Sequence, residues 1–158
     1  MGCLKGHFDF SLDYYDCNKF TFKDQSIWTE NKRGEYVLSI LTPLNVTKTF
    51  SIVAPLSEII SAEELEMSCL KDGIYEFSVT NCGRKYTKSK AILCQAECGI
   101  NKLIAKGEGK KDIEKINLLK FYAEAVKVNS EQGRPNQAKK YFTFLQDELR
   151  RLHCECYC

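Results

Sequence analysis

The hydrophobic period of this chain changes once, near residue 91, and that change limits how the chain can fold. Ahead of it, apolar side chains recur at every second position, as in His7-Phe8-Asp9-Phe10-Ser11-Leu12-Asp13-Tyr14 and again in Lys19-Phe20-Thr21-Phe22-Lys23. A strand sends successive side chains to opposite faces, so this period marks strands with one face to bury and one to wet. Behind it, Leu93, Ala96, Ile100, Leu103 and Ile104 fall at helical spacing. Strands first and helices after them predict an α+β chain, not an alternating α/β one.

The strand half contains further candidates. Residues 35–41 are rich in aromatic and branched side chains and stop at Thr42-Pro43; residues 46–53 follow and stop at Pro55. Lys71-Asp72-Gly73 is a turn signal before 74–79, and Asn81-Cys82-Gly83 precedes 85–89. Residues 57–67 read as a loop with a helical turn, because Ser61-Ala62-Glu63-Glu64 has the form of a capping box. Short strands at this spacing predict an antiparallel β-sandwich-like module over residues 1–90, since each sheet must hide one face against another layer.

The helical half, residues 91–158, predicts an antiparallel three-helix module. The first helix closes at Lys106-Gly107, and Glu108-Gly109-Lys110-Lys111 is a polar connection. Asp112 is the expected cap of a second helix with the stripe Ile113, Ile116, Leu119, Ala123 and Val126, stopped at Gly133. Pro135 suits the first turn of a third, where Ala138, Phe142, Leu145, Leu149 and Leu152 repeat like a coiled-coil seam. The last two helices have the length of one TPR unit but lack its signature, and a lone unit could not hide its core.

Size and charge exclude several functions. A chain of 158 residues with net charge +2 has no strong field for a nucleic-acid backbone. No apolar run reaches the roughly 20 residues of a membrane span. The N-terminus lacks a signal peptide's apolar stretch, and Gly6 stands where a myristoylation site needs Ser or Thr. The compartment expected from this is reducing, with most of the nine cysteines free and buried or idle.

Three alternatives to idle thiols follow from spacing. Cys94 and Cys98 share a helix face, and Cys154, Cys156 and Cys158 alternate beside His153, so these five are candidate zinc ligands. No Cys-x-x-Cys pair occurs, and the two groups lie at opposite ends of an up-down-up bundle, roughly 20 Å apart. Disulfide or intersubunit thiol contacts are the second alternative; Cys69 and Cys82 flank one strand and suit pairing in an oxidising medium. A cysteine nucleophile is the third, but His7 and His153 lie at the chain ends and no nucleophile, phosphate-loop or metalloprotease motif occurs. The expectation is no enzyme and no cofactor.

Basic runs in 84–90 and 106–111 read first as solvated edges, where lysine discourages strand pairing. Lys106, Lys110 and Lys111 are candidates for facing DNA if they line a channel. The aromatic N-terminal strand, able to add to a neighbour's sheet, and the exposed faces of helices two and three are the expected subunit contacts.

The run from Asp72-Gly73-Ile74-Tyr75-Glu76-Phe77 through Cys82-Gly83 and Tyr86 to Leu93-Cys94-Gln95-Ala96-Glu97-Cys98, with its helical tail and alternating cysteines, resembles small structural proteins of tailed bacteriophages infecting Bacteroidetes, the crAss-like phages in particular. The resemblance covers roughly residues 70–158. It implies a virion protein that forms a homo-oligomeric ring in the neck or tail, a head-to-tail connector around the genome channel. Its implied partners are other copies, the portal or other neck and tail proteins, and packaged DNA by non-specific contact, with no membrane. A zinc-stabilised binding or regulatory module is the rival reading.

Overall fold

The computed structural model describes residues 5–28, 35–53, 57–81, 83–106 and 109–151. Two antiparallel sheets and a short ladder come first and three helices last, so the α+β layout expected from the change of period is the fold. The chain divides into two compact units, one of residues 1–70 with 75–89, the other of 71–74 with 90–158.

In the first unit, β1 (Gly6–His7) pairs with β4 (Ile27–Trp28), and β2 (Phe10–Asp13), β3 (Lys19–Asp24) and β7 (Ser57–Ser61) form a sheet in the order β2-β3-β7. A second sheet has the order β6-β5-β8-β9, from β5 (Glu35–Leu41), β6 (Thr47–Val53), β8 (Gly73–Asn81) and β9 (Arg84–Ile92). Alternation places Phe10, Phe20, Phe22 and Ile60 on the inner face of the first sheet, and Leu38, Ile40, Ile52 and Phe77 on that of the second; all are buried. Phe77 is the meeting point. Its ring centroid lies 4.6 Å from Phe10, 6.1 Å from Phe22 and 6.3 Å from Phe20, the spacing at which aromatic quadrupoles attract. Outside, Thr49, Ser39 and Ser78 stand opposite one another across β6, β5 and β8, and the Ser78 and Thr87 hydroxyls are 3.3 Å apart.

Local chemistry sets two breaks. The expected strand over 7–14 divides at Phe8 and Asp9, because the Asp9 backbone bonds elsewhere: its N–H donates to Ser26 Oγ and its C=O accepts from Gln25 N. Between β5 and β6, buried Thr42 Oγ1 accepts the N–H groups of Leu44 and Val46, while Asn45 takes a left-handed φ of 63°. Asn tolerates that region better than most residues, and Pro43 sits in the turn, where no ladder donor is needed.

Residues 57–67 correct the loop expectation in part. Ser57–Ser61 is strand β7, paired with β3, and a 3-10 turn (Glu63–Leu65) follows. The capping box is present in both directions: Ser61 N donates to Glu64 Oε2 and Glu64 N to Ser61 Oγ, each at 3.1 Å.

In the second unit, α1 (Cys94–Lys106), α2 (Lys110–Glu131) and α3 (Pro135–Arg151) share a core of Ala96, Ile100, Ile116, Leu119, Ala123, Val126 and Leu145, joined by Ala91 and Leu93. Helix α2 begins earlier than expected. Its N-cap is Gly109, and Asp112 lies in the first turn without a side-chain cap bond. There its carboxylate still faces the positive end of the helix dipole. Ile113, placed on the core stripe by spacing, is exposed, while Ile116 begins the buried stripe. The α2 stop at Gly133 is a Schellman closure. Gly133, at φ 71°, donates to Ser130 O, and Arg134 N donates to Asn129 O at 2.9 Å.

Candidate functional site

The sequence-derived site residues do not converge. Cys94 and Cys98 open α1 as expected, but both are disulfide-bonded, so neither supplies a zinc-binding thiolate. Cys154, Cys156 and Cys158 lie outside the described residues. Among the described residues no group of three or more His, Cys, Asp or Glu is placed to hold a metal ion. Lys106 is exposed at the end of α1; Lys110 and Lys111 form the first turn of α2, and their side chains are outside what is described.

Free thiols were the leading expectation, and the structure overturns it for every described cysteine: Cys17, Cys69, Cys94 and Cys98 are all disulfide-bonded. The compartment argument rested on the N-terminus alone. Sulfur pairing depends on which chain segments the fold brings together, which a terminus does not report. Cys69 is fully buried and Cys82 lies outside the described residues.

The side chains of the aromatic N-terminal strand are used within the chain, while β2 keeps an edge position in its sheet. Phe8, Phe10, Phe20 and Phe22 are buried in the chain's own sandwich, and Phe8 packs 5.2 Å from Phe10 and 6.2 Å from Tyr36. The Tyr36 hydroxyl donates to Asp24 Oδ1 at 2.8 Å, and burial together with that bond raises its pKa, keeping the phenol protonated. Lys88 closes the same region through a 2.6 Å pair with Asp9.

Two features of the helical unit escaped sequence reasoning. The first is Asp72, read only as a turn residue. Its Oδ1 accepts Gln95 N and its Oδ2 accepts Ala96 N, both at 2.8 Å, so it caps α1 from 23 residues upstream of Gln95. The residue just before α1 is Leu93, whose C=O accepts Glu97 N at 2.8 Å but whose side chain has no acceptor to cap the first N–H groups. Burial pushes the Asp72 pKa up to about 6 against the lowering effect of those two bonds, with Glu97 adding repulsion.

The second is an aromatic face on α2 and α3. Phe121, Tyr122, Tyr141 and Phe144 form one cluster, with Phe121–Tyr141 at 5.9 Å, Tyr122–Phe144 at 5.6 Å and Tyr141–Phe144 at 6.2 Å between centroids. Tyr122 and Tyr141 lean on the core, whereas Phe121 is 56% exposed and Phe144 38%. Lys140 Nζ lies 6.0 Å from the Phe144 ring centroid. Contiguous exposed apolar surface of this kind marks interaction sites, whereas isolated cases such as Val37 and Ile59 on the β unit are ordinary. A groove between α1 and α2 is less suggestive, since its Lys127 and Glu97 neutralise each other at 2.7 Å.

No protein-family model matches this chain, and comparison with curated proteins and with solved structures finds no similar one. Among the described residues no helix is long and apolar enough to cross a membrane.

Proposed function

We propose that this chain is a non-enzymatic structural subunit of a larger assembly, a ring component of the neck or tail of a tailed phage. The observation that carries the assembly reading is the contiguous aromatic face of α2 and α3, which leaves Phe121 and Phe144 exposed to water. The phage assignment rests on the residue resemblance over 72–98 and the helical tail. Disulfide bonding at all four described cysteines agrees with it, because a virion made in a reducing cytosol works outside the cell, where such bonds persist. In this reading Lys106, with Lys110 and Lys111 at the start of α2, meets packaged DNA along the channel.

Mass spectrometry of purified particles of the encoding phage, followed by electron microscopy of the neck and tail, tests the proposal. The expected result is the chain in fixed copy number in a ring below the portal. Its absence from purified particles removes the proposal.

A further inference from the structure

Helix α2 carries more apolar surface than its neighbours cover. Ile116, Leu119, Ala123 and Val126 form the stripe buried in the core. A second set, Leu118, Phe121, Ala125 and Val128, repeats at three-four-three spacing and is only half-buried or exposed. Phe121 follows Leu119 and precedes Ala123 by two residues, which sets it about 160° round the helix from each. A helix apolar on opposite sides belongs in the middle of a bundle, not at its surface.

We propose that this face pairs with the same face of a second copy, so that α2 and α3 of two chains make a four-helix bundle about a two-fold axis parallel to the helices. Direction and register favour a copy of this chain over another partner. Within one chain α2 and α3 run antiparallel, with Lys115 Nζ 2.5 Å from Glu148 Oε2 at one end and Arg134 N bonded to Asn129 O at the other. The proposed axis sets each α2 antiparallel to the second copy's α3 as well, so every neighbouring pair is antiparallel, as in up-down bundles. In the register that brings Phe121 to Phe144 of the other copy, Glu124 falls level with its Lys140. Both are exposed, and neither has an ion-pair partner among the described residues. Symmetry forms that pair twice.

The size of the face sets the strength. At 1.5 Å per residue the 17 residues of α3 span about 25 Å, and two helices about 10 Å wide give a footprint of roughly 500 Å² per copy, or about 1,000 Å² in all. That is the lower end for a specific interface, so a reversible, concentration-dependent dimer is expected.

Sedimentation equilibrium on the full 18.1 kDa chain across micromolar concentrations tests this. The expected result is twice the chain mass, with association weakened at least tenfold by Phe121→Glu. Glu124→Lys and Lys140→Glu each weaken it, and the double charge reversal restores it even if Phe121→Glu proves poorly folded. The pairing does not depend on the phage reading. A monomer at every concentration overturns it, and so does a dimer or larger ring that these substitutions leave intact; the second outcome leaves the ring proposal standing.

Discussion

Asp72 shows how one side chain carries an opposed pair of forces. Its carboxylate satisfies two N–H groups at the start of α1, yet burial makes its charge costly enough to raise its pKa to about 6. The folded state therefore holds the Asp72 proton more tightly than the unfolded chain, where the value is near 3.8. Its contribution to stability rises as pH falls through 6 and levels off below about 4, with a slope of up to about 1.4 kcal/mol per pH unit between them. Denaturant titrations of the native protein and Asp72→Asn at pH 7, 6 and 5 check this; the difference between the two should shrink or change sign toward high pH. Phe77 tests packing at the same scale. Truncating it to alanine strips the ring against which Phe10, Phe20 and Phe22 pack, at an expected cost of about 3–5 kcal/mol by chemical denaturation.

Among the elements, the α2–α3 corner depends most on one conformation. Gly133 holds φ 71° while donating to Ser130 O, and a Cβ there would meet nothing within 4 Å. Gly133→Ala therefore isolates backbone strain from packing, and about 1–2 kcal/mol of destabilisation is expected in thermal or chemical unfolding. A neutral result would mean the Schellman closure contributes little to holding α2 against α3. Helix α1 is held differently, from Asp72 in the 71–74 segment. Those four residues belong to the helical unit although the strands of the first unit follow them in sequence.

For the whole molecule, disulfides separate this chain from the free-thiol protein its N-terminus suggested. Of the nine cysteines, the four among the described residues are all bonded, so no more than five should alkylate in denatured, unreduced protein. Mass spectrometry counts them directly, and reduction should then lower the unfolding midpoint, by an amount equivalent to about 2–5 kcal/mol if one stabilising bridge is lost. Full alkylation without reductant would contradict the bonded state.

The sequence alone determined the α+β order, most strands, all three helices and the reciprocal capping box, because each follows from side-chain periodicity or from groups a few residues apart. It did not reveal the short ladder with Ile27–Trp28, whose two residues are too few to show a period. Spacing also picked the stripe of α2 that is buried, Ile116, Leu119, Ala123 and Val126, and tertiary structure decided only that Ile113 at its start is left exposed. It also decided that Asp72 caps a helix and that Cys17, Cys69, Cys94 and Cys98 are bonded. The Asp72 cap depends on a distance between segments 23 residues apart in the chain, and local spacing carries no information about that distance.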